Sequence, residues 1–214
     1  MKPKTKYYLV GNAHLDPVWQ WRWQEGSMEA KATIRSALDR MNEFPEFRFV
    51  CSSASVYQWV EEFDPDMFEE IKQRVAEGRF IIIGGWHVQP DCNLPSGEAF
   101  ARQSLYSQRY FKETLGAAAK VGYNVDSFGH NYMLPQILKK SGMDAYIMMR
   151  PDRNEKNLDS DLFEWISPDG SSVTTYRIAN YAGNSADMAE LERRIGEIKT
   201  GKSVLKEHDL IEVD

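Results

Sequence analysis

Short apolar runs alternate along the chain with longer stretches in which apolar residues recur every three or four positions. Runs of the first kind predict strands buried on both faces, and stretches of the second kind predict amphipathic helices. Residues 7–11 predict a strand. Ile34, Leu38 and Met41 share one face of a helix predicted over 28–44, which stops before Pro45. A second strand is predicted over 47–51, followed by helices over 55–63 and 65–78. The dense β-branched run 80–86 predicts another strand. A long helix over 97–115 begins near Pro95 and Ser96 and ends at Gly116. A strand over 119–125, a short helix over 135–141 and a strand over 145–149 follow. Residues 163–178, FEWISPDGSSVTTYRI, set a Pro-Asp-Gly turn between two alternating runs and predict a β-hairpin. A polar helix is predicted over 186–199.

Repeated strand-then-helix units predict an α/β fold with parallel strands and right-handed crossovers. Ligands in such folds sit at the carboxyl ends of the strands. His14, Asp16, Trp86, Asp91, Asp126 and Arg150 all follow predicted strands directly, so independent segments deliver chemistry to one edge.

His14 and Asp16 stand two residues apart in an extended segment, where alternate side chains point the same way. An imidazole nitrogen and a carboxylate oxygen converging on one point suit a divalent metal of zinc type. The same spacing also accommodates a histidine that is merely satisfied at a strand end. Trp19, Trp21 and Trp23 follow at once, either as core or as a flat surface on which a sugar ring stacks. Arg150 reads equally well as a structural ion pair or as a partner for a reactive carboxylate. His87 is expected in the core, and His130 in a supporting role.

Three segments taken together, YYLVGNAHLDPVWQWRWQEG (7–26), IIIGGWHVQPDCNLPSGEAFARQ (81–103) and VGYNVDSFGHNYMLPQ (121–136), closely resemble the catalytic domain of glycoside hydrolase family 38, the α-mannosidases. The resemblance runs from about Tyr7 to Arg150 and continues more weakly to Tyr181. It implies an irregular seven-stranded β/α barrel and a retaining, zinc-dependent hydrolysis of terminal α-mannosides. His14 and Asp16 match the first two zinc ligands, and Asp126 matches the residue that is both ligand and nucleophile. Trp19 matches the tryptophan that packs on mannose, Asp91 a residue that binds sugar hydroxyls, and Phe128 a residue of the same pocket. Arg150 matches the arginine beside the nucleophile, and Tyr181 loosely matches a substrate-contacting tyrosine.

One departure accompanies these matches. The family's fourth zinc ligand, a histidine, and its general acid lie further downstream than Asp214, and His208 matches neither motif and reads as a solvated residue. Residues 1–214 are therefore expected to be the front part of a catalytic domain with an unfinished barrel, inactive in isolation. The 214-residue length agrees, since a complete eight-stranded barrel takes about 250 residues. Two other readings compete: a metal-dependent polysaccharide deacetylase, in which metal-activated water attacks an N-acetyl group, and a carbohydrate-binding fragment without catalysis.

Composition narrows the partners. A net charge of −6 argues against nucleic acid, and the substrate expected is a mannose-containing glycan. No run is long enough to span a membrane, and residues 1–10 lack the apolar core of a signal peptide. Cys51 and Cys92 are the only cysteines, too few for a disulfide framework. These features predict a cytoplasmic protein with free thiols. Linkage preference and oligomeric state are not written in the sequence.

Overall fold

The computed structural model describes residues 10–152 and 154–178. The predicted helix 186–199, Tyr181 and His208 lie outside the described residues. Strands β1 (Gly11–Asn12), β2 (Phe49–Cys51) and β3 (Phe80–Ile82) form one parallel sheet in the order β1-β2-β3. Strands β4 (Val121–Asn124), β5 (Ala145–Met148), β6 (Leu162–Ile166) and β7 (Ser172–Arg177) form a second sheet in the order β4-β5-β7-β6. There β4, β5 and β7 run parallel, while β6 pairs antiparallel with β7. The backbone N–H of Gly84, just past β3, donates to the carbonyl of Val121 at 2.7 Å and brings the two sheets edge to edge.

The helices are α1 (Trp23–Glu43), α2 (Ala54–Phe63), α3 (Pro65–Ala76), α4 (Gly97–Leu115) and α5 (Leu134–Lys140). Their ends follow local chemistry. Asp64 accepts from the Met67 N–H at 3.2 Å with Pro65 behind it at the start of α3. Ser96 accepts from the Ala99 N–H to open α4, and Gly116 closes it at φ +68°.

Strand residues sort by their period of two. Phe49, Cys51, Phe80 and Ile82 pack among the helices α1 to α4, together with Ile34, Leu38 and Ile71. Tyr146 and Met148 pack with Leu134, Leu138, Phe100 and Trp86. The alternate positions Val50, Ile81, Val121, Tyr123 and Ile147 meet on a shared face with Ile83, Val125 and Met149. Both faces of the parallel strands are thus covered, which is why their sequences read as continuous apolar runs.

The expected α/β architecture with parallel strands is present, but among the described residues the strands form two sheets and no closed barrel. The antiparallel β6 departs from an all-parallel arrangement because the Pro168-Asp169-Gly170 turn, with Gly170 at φ +84°, reverses the chain at once. The strand predicted over 80–86 ends at Ile82 because Gly84 and Gly85 both take left-handed backbone, at φ +87° and +68°. Trp86 is consequently not at the sheet edge: it is buried at the centre of a cluster, edge-on to Phe100 and Tyr146. His87, expected in the core, is exposed instead, with Trp86 occupying the inward position beside it. The first helix begins at Trp23, five residues earlier than its apolar periodicity indicates, because Gly26 and Ser27 are themselves buried helical positions.

Candidate metal and sugar site

The site is assembled where strands of the two sheets end. The chain leaves β1 at Asn12 and carries His14 and Asp16 on the following turn. It leaves β4 at Asn124 and carries Asp126. His14 Nε2 lies 3.2 Å from Asp16 Oδ1 and 3.8 Å from Asp126 Oδ2. One ligand atom from each of the three lies within 4.8 Å of the other two. Donors about 2.1 Å from a tetrahedral zinc ion stand about 3.4 Å apart, so the separations of 3.2 and 3.8 Å straddle what a shared ion requires. One imidazole and two carboxylates also offer the nitrogen-plus-oxygen set that zinc accepts. The residues present therefore fit the metal that the sequence implies.

A cation completes the cluster. Arg150, two residues past β5, donates from Nε to Asp126 Oδ1 at 3.2 Å. Its guanidinium carbon lies 4.5 Å from the centroid of the Phe128 ring. Asp126 thus presents one oxygen to the His14 side and the other to Arg150. Asp16, Asp126 and Arg150 keep some solvent exposure, as a site open to a ligand needs, whereas both ring nitrogens of His14 are buried.

Asp91 belongs to a neighbouring loop. Its Oδ1 accepts from the backbone N–H groups of Asn93 and Leu94 at 2.8 and 2.9 Å, and these bonds hold its carboxyl below the usual carboxylate range. The loop is latched to the exit of β4. Asn124 Nδ2 donates to the Pro90 carbonyl at 2.7 Å, and the Asn131 N–H donates to the Cys92 carbonyl at 3.1 Å. Gly129 takes φ +127°, a backbone that residues with a Cβ rarely adopt, and a Cβ there would also push aside the Asn93 amide, 2.2 Å away. Gln89 adds a crosslink: it accepts from the Val125 N–H and donates to Ser52 Oγ, joining the exits of β4 and β2.

Trp19 is exposed and meets Trp21 edge-on at 5.4 Å. Trp21 in turn donates its indole N–H to the Asp16 carbonyl at 3.2 Å. The backbone of the His14–Pro17 turn also rests directly on α1, because Gly26 has no Cβ to fend off the Pro17 carbonyl. The structure thus brings His14, Asp16, Asp126, Phe128 and Arg150 together, sets Asp91 on the adjoining loop and leaves Trp19 as an exposed ring. Tyr181 lies outside the described residues.

Several supporting residues escaped the sequence reading. Gly26 lies outside the helix predicted over 28–44 and was given no role. Gln89 has no sequence signal at all. Asn12, whose Nδ2 donates to the Tyr123 hydroxyl at 2.7 Å between the two sheets, had none beyond its nearness to His14.

Comparison with known proteins agrees with this picture. The glycosyl hydrolases family 38 N-terminal domain profile matches residues 4–210. Alpha-mannosidase G of Dictyostelium discoideum is 35% identical over 88% of this chain, and the alpha-mannosidase of Saccharomyces cerevisiae is 32% identical over 80%. An alpha-mannosidase from Enterococcus faecalis V583 shares the fold with a TM-score of 0.74 at 21% identity over 88% of this chain. The chain spans only 18%, 16% and 22% of those three proteins, about a fifth of their length. Matched over nearly its whole length, the chain belongs to glycosyl hydrolases family 38, within its N-terminal domain.

Proposed function

We propose that the protein carrying this chain is a retaining α-mannosidase that hydrolyses terminal α-mannosides of glycans, with zinc held by His14, Asp16 and Asp126. The observation that carries this reading is the convergence of those three side chains, with Arg150 on the second oxygen of Asp126, in a chain of this family. When bound, zinc would supply a Lewis-acidic anchor for adjacent sugar hydroxyls.

The described residues supply the nucleophile and the sugar contacts. Asp126 attacks the anomeric carbon, the glycosidic bond breaks as the leaving oxygen takes a proton, and water later releases the sugar from the ester. Arg150 fixes the orientation of Asp126 through the bond from its Nε to Oδ1. Trp19 and Phe128 offer apolar ring faces to the sugar, and Asp91 offers a carboxylate oxygen to its hydroxyls. Asp91 is unsuited to be the proton donor, because the two backbone bonds that lower its pKa oppose what a general acid needs. We assign the proton donor and a further metal ligand to residues outside those described. A reducing compartment, the cytoplasm, accords with Cys51 and Cys92, both buried and unbridged; no described helix is long and apolar enough to cross a membrane.

The test is hydrolysis of an aryl α-mannoside by the full-length protein, followed by NMR from the first turnover. Release of mannose first as the α anomer is expected. First appearance as the β anomer would refute a nucleophilic Asp126. Release of acetate from an N-acetylated glycan, without mannose, would favour a deacetylase instead.

A further inference from the structure

We propose that His130 is a positioning residue that holds the Arg150 backbone, and through it aims the Arg150 guanidinium at Asp126. The proposal rests on the reading of Asp126 and Arg150 given above, and it concerns a side chain that reading leaves without a task.

The geometry is directional. His130 Nε2 lies 2.8 Å from the carbonyl oxygen of Arg150. A carbonyl only accepts, so Nε2 must carry the hydrogen. His130 Nδ1 lies 3.1 Å from the Tyr146 hydroxyl. With the ring neutral, Nδ1 is the acceptor and Tyr146 donates. Burial lowers the pKa of His130, against a smaller opposing pull from the Arg150 carbonyl, which keeps the imidazole neutral near pH 7. The ring cannot turn away. Tyr146 meets it edge-on at 5.7 Å, and Trp165 of β6 meets it at 6.0 Å and 90°.

The two ends of this arrangement sit in different loops. His130 belongs to the loop that follows β4 and carries Asp126, while Arg150 belongs to the loop that follows β5. The side-chain bond from Arg150 Nε to Asp126 spans the same two loops at 3.2 Å. Arg150 is therefore gripped twice by one neighbour, once at its carbonyl by His130 and once at its guanidinium by Asp126. Without the first grip, the bond to Asp126 and the Phe128 ring contact must hold the Arg150 backbone as well as its long side chain, which adds to the ordering entropy that those contacts have to offset. Asp126 would then lose a cation held at a set distance and keep only a mobile one. Tyr146 serves this arrangement at one remove, by fixing which imidazole nitrogen carries the hydrogen.

The test uses nitrogen-15 NMR of the full-length protein with its histidines and arginines selectively labelled, which needs neither turnover nor metal. In the unaltered protein, His130 is expected as the Nε2–H tautomer, and the Arg150 Nε–H resonance is expected to be protected from solvent exchange. An Nδ1–H tautomer would overturn the proposal whatever any variant does. His130→Phe keeps the ring contacts and is expected to lose the Arg150 Nε–H protection, while His130→Gln, whose amide can reach the same carbonyl, restores it. Unchanged Arg150 protection in folded His130→Phe would also overturn the proposal. Asp126→Ala, which removes the acceptor altogether, separates the underlying reading: if that change leaves the Arg150 resonance untouched, the Asp126–Arg150 pairing is at fault rather than the role of His130.

Discussion

A methyl group placed on Gly26 would lie 2.3 Å from the carbonyl oxygen of Pro17. Gly26 sits in the second turn of α1, and Pro17 directly follows Asp16. The helix and the turn that carries His14 and Asp16 are therefore in backbone-to-backbone contact, and the separation between them is set by the absence of one side chain.

Gly26→Val is expected to push that turn away from the helix. Overpacking of this kind costs about 1–3 kcal/mol, and zinc affinity measured by calorimetry is expected to fall with it. Gly97→Ala is the matching control, because a Cβ there meets nothing within 4 Å; it is expected to be neutral or stabilising by up to about 1 kcal/mol. Equal zinc affinity in both variants would show that the Gly26 contact does not position the site.

His14→Ala is expected to weaken zinc binding more than the loss of any supporting residue does. Removing an outer partner of a metal ligand typically costs about 10–100-fold in affinity, so a direct ligand should exceed that range. Competition with a chelator of known affinity measures it, and a change below tenfold would remove His14 from the ligand set.

Asp126→Asn, made in the full-length protein, is expected to lower kcat by orders of magnitude with little change in bulk. Part of the loss arises from weaker metal binding, since one carboxylate serves both purposes. Excess zinc separates the two effects. Activity that stays low at restored zinc occupancy marks a nucleophile, whereas recovery to the parent level marks a ligand only.

The ion pair of Arg35 and Glu70 gives a pH-dependent prediction. Arg35 donates from both Nη atoms to the two Glu70 oxygens at 2.7 and 3.2 Å, and this pairing lowers the Glu70 pKa in the folded state. A carboxyl depressed on folding stabilises the protein above its unfolded pKa, and that contribution is lost as pH falls through the folded value. Glu70→Gln is therefore expected to be less stable than the parent at pH 7, by under about 1 kcal/mol for so exposed a pair. The gap should close in acid. Urea unfolding at both pH values reads it directly, and a gap that widens in acid would contradict the pairing.

Arg177, at the end of β7, is buried and carries a heavier structural load. It donates to Asp161 Oδ1 at 2.9 Å and to the carbonyls of Pro151 and Lys156 at 3.2 and 2.7 Å. These bonds pin the loop that begins at Arg150. Arg177→Met leaves Asp161 and the carbonyls without their donor, and breaking a buried pair in this way costs about 3–5 kcal/mol. A thermal midpoint within a few degrees of the parent would show that the loop holds itself.

Elements governed by local rules were legible in the sequence. The helix Gly97–Leu115 was read to the residue because Ser96 and Gly116 carry its two ends in their own chemistry. The hairpin of β6 and β7 was legible from Pro168-Asp169-Gly170. The site residues were read in a different way: His14, Asp16 and Asp126 lie more than a hundred positions apart at the extremes, their places after strands put them on one edge, and resemblance made them one ligand set. What stayed hidden depends on contacts between distant segments. Nothing local distinguishes a Gly26 that breaks a helix from one that lets a helix touch a loop. Trp86 and His87 stand side by side, and which of them faces inward was decided by the two left-handed glycines before them.

Strand β4 carries an address as well as a structure. Its neighbours are apolar on both faces, so hydrophobicity alone would tolerate a slip of one residue along the strand. Two positions forbid it. A Cβ at Gly122 would meet Leu138 Cδ2 at 2.4 Å and the Tyr146 ring at 2.9 Å, so no other residue of the strand can occupy that place. Asn124 donates to the Pro90 carbonyl at 2.7 Å and to Cys92 Sγ at 3.0 Å, and a valine or tyrosine shifted into its position could do neither. A slipped strand would point Asp126 to the opposite face, away from His14 and Arg150. Gly122 and Asn124 act as a lock on phase: they stand outside the cluster of His14, Asp16 and Asp126, yet they decide which way the carboxylate looks.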